Sequence, residues 1–226
     1  MTHITIAAFN IEKNGQSSDP LKQQKVSEFV AFCCNRGVDV IFLCEVHSAR
    51  VGDYVNFLRS VYSEHYACES LDGGYSNAYV VLHKKSVGFT LSYDQLNHLN
   101  RNFLLCTIDG KLGVGFAHFK SGQNGLTRNQ IENAAEAMHG MFNGLWAIAG
   151  DMNWDMSNFN NLNLPAGSHC ASCWPDMTQA SGGILDWCLA GNKVTVTPAN
   201  GYTEFHQDFQ TMDGPDHRPV LFDLAF

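Results

Sequence analysis

No stretch of the 226-residue sequence is apolar over the roughly 20 residues that a membrane-spanning helix needs, so we expect no transmembrane segment. Positive charge is scarce as well, since 14 Lys and Arg against 22 Asp and Glu give a formal net charge of -8. That balance argues against a protein that coats nucleic acid through bulk positive charge. It excludes neither an enzyme with a local basic rim nor a cluster of acidic side chains that binds a cation.

A disulfide framework is also missing, although the chain has 8 cysteines. Five of them lie in apolar segments and are typical of small buried hydrophobic residues: Cys33, Cys34, Cys44, Cys106 and Cys188. Cys170 and Cys173 have the spacing of a zinc or redox pair, but without a second pair they favour a reversible disulfide or an ordinary loop. This cysteine usage indicates a reducing compartment.

Repeats, low-complexity tracts and linkers are absent, and no signal peptide precedes the strand-like segment that starts at Ile4. With 45% hydrophobic residues, the length suits one domain that spans residues 1–226. We therefore expect a cytoplasmic protein, or a secreted or delivered effector if the sequence is a processed form.

Apolar periodicity predicts strand–helix–strand units in both halves, with strands outnumbering helices. Helices are predicted from Asp19 and Pro20 to Arg36, over residues 51–62, and from a capping-box pattern at Thr127. Strands are predicted at residues 4–11, 38–44, 66–70, 78–83, 86–91, 103–108, 111–118, 145–149, 184–189, 194–197 and 220–225, with a long surface loop over residues 158–176. This pattern predicts an α/β fold in which two β-sheets pack face to face with helices outside.

Polar residues follow these predicted strands. Asp151 and Asn153 come directly after residues 145–149, and in extended backbone their side chains share one face. Taken alone they also fit a turn, because Gly, Asp and Asn are common turn residues. Asp186 lies within an apolar run and needs a partner or a metal. The remaining polar residues at strand ends are Asn10, Glu45, His118 and Asp216-His217.

In this order, the set resembles the endonuclease/exonuclease/phosphatase superfamily, whose members include pancreatic-type deoxyribonuclease and inositol polyphosphate 5-phosphatases. The resemblance runs from about Ile4 to the C-terminus. It implies a deoxyribonuclease-I-like four-layer α/β/β/α sandwich of two packed mixed β-sheets flanked by helices. It also implies hydrolysis of a phosphate ester that depends on Mg²⁺, with Mn²⁺ or Ca²⁺ as alternatives.

Three stretches are similar to the catalytic B subunit of cytolethal distending toxin: Gly73–Ala78, Arg101–Leu105 and Thr178–Trp187. The sequence departs from the family pattern at Cys44, where a Gln is common, and at Asn77, where the pancreatic enzyme has a carboxylate. It also departs at Trp154, where the toxin has a basic residue, and at Pro215, where a small residue is usual. These departures leave the hydrolytic set intact and put the DNA-contacting rim in doubt.

The resemblance implies a role for each residue. Glu45 is the main metal ligand, with Asn10 beside it and Asp216 as a further contact. Asp186 orients His217, and either this pair or Asp151 activates water. The remaining implied roles are donation to the phosphate by Asn153, transition-state stabilisation or leaving-group protonation by His118, phosphate clamping by Arg101, and a substrate-binding position at Asn77.

The leading hypothesis is a monomeric DNA endonuclease with little sequence preference. A phosphoinositide phosphatase is the first alternative, because Asp216–Val220 resembles the corresponding stretch of the 5-phosphatases. A binding module that has lost catalysis is the second. A toxin or effector role, with a delivery or immunity partner protein, is a further hypothesis that depends only on the toxin resemblance.

Overall fold

The computed structural model describes residues 1–13, 19–74, 76–94, 101–199 and 203–226. Tyr75, within the first toxin-like stretch, lies outside these ranges. The described helices are α1 (Pro20–Arg36), α2 (Val51–Tyr62), α3 (Asn124–Phe142), α4 (Thr203–Phe209) and a 3₁₀ helix (Met156–Asn161). None of them is both long enough and apolar enough to cross a membrane. The strands are β1 (His3–Asn10), β2 (Val40–His47), β3 (Tyr66–Gly74), β4 (Asn77–Lys84), β5 (Phe89–Asp94), β6 (Phe103–Ile108), β7 (Leu112–His118), β8 (Trp146–Asp151), β9 (His169–Ala171), β10 (Asp186–Ala190), β11 (Thr195–Pro198) and β12 (Val220–Ala225).

The strands form two six-stranded sheets, in the orders β11-β12-β1-β2-β4-β3 and β5-β6-β7-β8-β10-β9. Both sheets are mixed, because β1 runs parallel to β2 and β7 runs parallel to β8, whereas their other pairings are antiparallel. Their inner faces share one hydrophobic core, in which Phe42 of the first sheet stacks on Phe116 of the second at 4.9 Å between ring centroids. The predicted sandwich of two sheets is confirmed.

Helices cover the outer faces of both sheets. Phe29 of α1 packs edge-on against Phe9 of β1, with ring centroids 5.1 Å apart. On the other side of the molecule, Ile131 of α3 belongs to a second hydrophobic cluster with Ile148 of β8. Because each helix buries one apolar face on a sheet, the ends of the central strands are held at fixed relative positions.

The first helix begins and ends as predicted. The Asp19 carboxylate accepts a hydrogen bond from the backbone N–H of Leu21 at 2.9 Å, and Pro20 occupies the first helical position. Gly37 closes the helix in the left-handed conformation, with φ of 68°.

The start predicted for the third helix is wrong. Helix α3 begins at Asn124, three residues before the predicted capping box. Thr127 is buried, and its hydroxyl donates back to the carbonyl oxygens of Lys120 and Gln123. The Gln130 side chain accepts from the backbone N–H of Lys120 at 2.7 Å. The two polar residues therefore anchor the preceding loop to the helix instead of capping its end.

Other differences concern short elements. Strand β10 begins at Asp186 and not at residue 184, and β5 lies three residues later than predicted. The segment predicted as a surface loop at 158–176 contains part of the 3₁₀ helix and the short strand β9. Helix α4 was not predicted. These elements are only 3 to 7 residues long, so their apolar periodicity gives little signal.

Gly150, the residue before Asp151, allows β8 to approach β7 closely. Its φ is +129°, and a Cβ at this position would collide with the carbonyl oxygen of Ala117. We expect Gly150→Ala to lower the free energy of unfolding by at least about 3 kcal/mol. Urea denaturation measures the effect. Gly110→Ala is the matched control, because Gly110 also has a positive φ, +66°, but has open space around the added atom. Equal losses for the two variants would contradict the steric argument.

Candidate active site

The ends of strands from both sheets meet at one cleft. In the second sheet, Asp151 pairs in register with His118 on one side and with Asp186 on the other. In the first sheet, Asn10 ends β1 beside β2, which carries Glu45. The cleft has a volume of about 290 Å³, and the predicted site residues that line it are Asn10, Glu45, His118, Asp151, Asn153, Asp216 and His217.

Asp151 lies at the centre of the cleft and joins the two sheets. Its Oδ2 atom accepts hydrogen bonds from Asn10 Nδ2 at 3.0 Å and from Asn153 Nδ2 at 2.9 Å, and its Oδ1 accepts from the Asn153 backbone N–H at 2.9 Å. The positive φ of Asn153, 48°, turns its side chain back over the strand end. Asn153 Nδ2 also donates to the Phe119 carbonyl oxygen at 3.0 Å, so both amide hydrogens have acceptors.

Asp186 lies beneath the cleft and holds His217. Its Oδ2 atom is 2.8 Å from His217 Nδ1, and both side chains are buried. Burial raises the pKa of the Asp186 carboxyl above its ordinary value. Burial alone would lower the pKa of His217, but the carboxylates of Asp186 and Asp151 outweigh it and raise that pKa to about 10. In the metal-free protein, the imidazole is therefore protonated at neutral pH.

This protonated histidine predicts a pH dependence of stability. Because the folded-state pKa of His217 lies above the unfolded value, its stabilising effect is complete below about pH 6.5 and is lost as the pH rises toward the folded value. We expect the metal-free protein to lose up to about 1.4 kcal/mol per pH unit between about pH 6.5 and about 7.5. Urea unfolding in EDTA measures the slope, and His217→Gln should flatten it. An unchanged slope in that variant would contradict the assignment.

The window ends below the pH range in which the cysteine thiols of the unfolded chain ionise. Burial raises the pKa of the Cys33 and Cys44 thiols well above the usual value. Unfolding exposes these thiols, so above about pH 7.5 their ionisation in the unfolded chain adds a separate loss of stability.

Glu45 and His118 form a second polar pair on the other side of Asp151. His118 Nε2 lies 3.1 Å from Glu45 Oε1, and Arg101 Nη1 lies 3.0 Å from His118 Nδ1. Because arginine can only donate, Nδ1 accepts and the His118 proton sits on Nε2, facing Glu45. Burial alone would raise the pKa of Glu45, but the hydrogen bond from His118 and the positive charges of Arg101 and His217 lower it to about 2.

Five residues of the cleft lining were not predicted as site residues: Glu12, Ser121, Gln179, Ser181 and Leu185. Two of them hold Asp216. Glu12 accepts from the backbone N–H of Asp216 at 2.9 Å and pairs with Lys22 at 2.7 Å. Gln179 Nε2 donates to Asp216 Oδ2 at 3.1 Å. Both therefore position the segment that carries Asp216. Their signals were weak but present, since Glu12 lies two residues after Asn10 and Gln179 falls within a toxin-like stretch.

Besides Asp186, which lies beneath the cleft, two predicted residues lie outside the cleft lining. Among the described residues, Arg101 contacts the cleft lining through His118, and its buried Nε atom has no hydrogen-bond partner in that part of the chain. Asn77 is buried at the start of β4, opposite His47 of β2. Its Oδ1 atom has no hydrogen-bond partner within the ranges that the structure describes. A substrate contact by Asn77 thus stays a prediction.

The cleft has the chemistry of a divalent-cation site. Carboxylate and carboxamide oxygens, the ligands that Mg²⁺ prefers, come from Asn10, Glu45 and Asp216. Asp151, Asp186 and His217 are buried and place their potential ligand atoms within 4.8 Å of one another. Since a histidine must lose a proton to bind a metal, the raised pKa of His217 favours the carboxylates as ligands.

Two packed mixed sheets with acidic, carboxamide and imidazole side chains at their strand ends define a hydrolase of phosphoester bonds. The sequence matches the model of the Endonuclease/Exonuclease/phosphatase family over residues 7–212. The chain belongs to this family. Members generally use a divalent metal, which agrees with the donor set of the cleft.

Solved structures show the same fold at low sequence identity. Truncated TDP2 from Caenorhabditis elegans has a TM-score of 0.69 and 15% identity, with 99% of this chain and 98% of that chain covered. TDP2 from D. rerio, complexed with a single-strand DNA product, has a TM-score of 0.67 and 17% identity, with both chains covered fully at 100%. The human Nocturnin catalytic domain with bound sulfate has a TM-score of 0.69 and 13% identity over 99% of this chain and 94% of that chain. No relative among curated proteins matches the sequence.

Proposed function

We propose that this chain is a divalent-metal-dependent phosphodiesterase that cleaves DNA internally with little sequence preference. The observation that carries the proposal is the convergence of Glu45, Asp151 and the Asp186–His217 pair on one cleft. Hydrolysis of a phosphodiester needs positive charge around the phosphate and a positioned water, and these residues can supply both.

Glu45 would hold the cation, with Asn10 and Asp216 lining the same cleft, and the Asn10 Oδ1 atom accepts from the backbone N–H of Glu12 at 3.0 Å. The lowered pKa of Glu45 keeps it ionised throughout the physiological range, as a metal ligand must be. A bound Mg²⁺ supplies positive charge that stabilises the phosphate oxygens in the transition state.

On the other side of the cleft, Asp186 fixes the His217 ring through Nδ1 and leaves Nε2 directed toward the reaction site. His217 Nε2 lies 3.9 Å from Asp151 Oδ2, so a protonated His217 can bind a phosphate oxygen while Asp151 orients water. Because a protonated His217 cannot accept a proton, Asp151 is favoured over His217 as the general base. Asn153 can donate to the phosphate only if it exchanges one of its two present acceptors.

His118 carries its proton on Nε2 and can stabilise the leaving oxygen by donating a hydrogen bond to it. Arg101 donates to the opposite ring nitrogen and so keeps the imidazole in that tautomer. In this arrangement Arg101 acts through His118, whereas the sequence-based interpretation has it clamp the phosphate directly.

DNA is the preferred substrate because the D. rerio TDP2 structure holds a single-strand DNA product on the same fold. The phosphoinositide alternative depends on Asp216–Val220, and the arginine of that stretch already has partners within the protein. Arg218 donates to the Asp176 carboxylate and to the Met177 carbonyl oxygen, and its guanidinium lies 4.9 Å from the Trp174 ring centre. A toxin role with a delivery or immunity partner remains the finer hypothesis that the toxin-like stretches suggest.

The test compares supercoiled plasmid DNA, RNA and a short-chain phosphoinositide with the same purified protein at low salt, with Mg²⁺ and with EDTA. We expect nicked and then linear plasmid with Mg²⁺ and none with EDTA. Phosphate release from the lipid without nicking would support the phosphatase instead. No turnover of any phosphoester would support the binding module.

A further inference from the structure

A second cavity of about 450 Å³ adjoins the catalytic cleft. The two share Asn153 and Leu185 as a common wall, so a molecule whose phosphate lies in the cleft can extend into the cavity. This volume falls within the range of about 300–1,000 Å³ that is typical of small-ligand sites.

The polar groups of this cavity are mostly uncharged. Besides the shared Asn153, the carboxamides of Asn124, Asn158 and Asn161 line it, together with the Trp154 indole and one carboxylate, Asp155. No lysine or arginine is among the described residues of its lining. The cavity therefore repels a phosphate and suits a neutral group that has hydrogen-bonding edges and a flat face.

Trp154 is held in place before any ligand binds. Its backbone carbonyl oxygen accepts from Trp187 Nε1 at 2.8 Å, and its own Nε1 donates to the Asn158 carbonyl oxygen at 3.4 Å. The indole is only partly buried, whereas Trp146, Trp174 and Trp187 are each at most 4% exposed. An aromatic ring fixed beside a cleft for phosphate is a stacking surface for a nucleobase.

The geometry points to a nucleoside subsite in this cavity: Trp154 stacks on the base of the nucleotide next to the scissile phosphate, and the asparagine carboxamides bind its polar edges. Bidentate amide contacts of this kind are those that asparagine makes with base edges. The inference rests on the proposed function and names the part of the substrate, base as well as backbone, that this site recognises.

Equilibrium binding in the catalytically disabled Asp186→Asn background tests the subsite without turnover. The probes are a short single-stranded oligodeoxynucleotide and a chain of the same length whose residues all lack a base. We expect Trp154→Leu to weaken binding of the normal oligonucleotide about 5- to 100-fold and to leave binding of the abasic chain unchanged. Asn158→Ala should act in the same direction with a smaller effect. Phe57→Leu, at an aromatic side chain on α2 that is 53% exposed, is the matched control and should change neither affinity.

Equal losses for both probes would overturn the subsite, since the indole would then support the backbone contacts or the local fold. Intrinsic tryptophan fluorescence gives an independent test of the subsite, because Trp154 is the most accessible of the 4 tryptophans. Quenching of the unsubstituted Trp154 protein by the normal oligonucleotide, but not by the abasic chain, supports the proposal, and quenching by neither overturns it. Cleavage of DNA with no effect of Trp154→Leu would refute the subsite alone. Absence of DNA binding and cleavage would refute the proposed function itself.

Discussion

Asp186→Asn is expected to lower kcat for DNA cleavage by a factor on the order of 10³–10⁴ while the protein stays folded. The Asp186 carboxylate accepts the Nδ1 proton of His217 at 2.8 Å and carries the charge that keeps the imidazole protonated. A neutral amide of the same shape removes that charge and can present N–H where the carboxylate accepted. The pKa of His217 then falls, and the ring loses the positive charge with which it would bind a phosphate oxygen in the cleft.

Steady-state plasmid nicking gives kcat, and thermal unfolding confirms that the variant folds. Asp213→Asn is the control, since Asp213 is an exposed carboxylate that lies 4.0 Å from Lys25. We expect this control to be fully active. A folded Asp186→Asn protein with near-normal turnover would show that the buried pair is structural.

Individual residues show why part of this site could be predicted from the sequence. The strand ends at Asn10 and His118 were correct because long apolar runs with a polar terminus mark both a strand and its end, whereas β2 continues past Glu45 to His47. Asp186 was identified as a residue that needs a partner because a carboxylate in an apolar run is costly unless it is paired. Its pairing with His217, implied by family resemblance, is present in the structure.

The rest depended on contacts that no local pattern encodes. Whether Thr127 capped α3 or tied it to the preceding loop depended on where the Lys120 backbone lies. Glu12 and Gln179 join the site through hydrogen bonds to Asp216, which in the case of Glu12 is 204 residues away in the chain. The cavity beside Trp154 likewise needs α3, the 3₁₀ helix and Gly182-Gly183 to come together.

The second prediction with a large expected effect concerns the metal-binding side of the cleft. Glu45→Gln is expected to reduce Mg²⁺-dependent cleavage by a factor on the order of 10²–10³ and to weaken cation binding at least about tenfold. The amide keeps the shape of the side chain but loses the negative charge that a divalent cation requires. It also offers His118 Nε2, which lies 3.1 Å from the carboxylate oxygen in the native chain, a neutral acceptor in place of a charged one.

Calorimetric titration with Mg²⁺, without substrate, separates metal binding from turnover. Glu69→Gln is the control because the Glu69 carboxylate, 46% exposed, also faces a histidine, His83, but lies on β3 outside the cleft lining. If Glu45→Gln bound Mg²⁺ as tightly as the unsubstituted protein and yet lost activity, Glu45 would serve to hold His118. The cation would then have to be assigned to the deeper group of Asp151 and Asp186. If Mg²⁺ binding and DNA cleavage fell together, the Glu45 carboxylate of β2 would be assigned as a ligand of the catalytic metal.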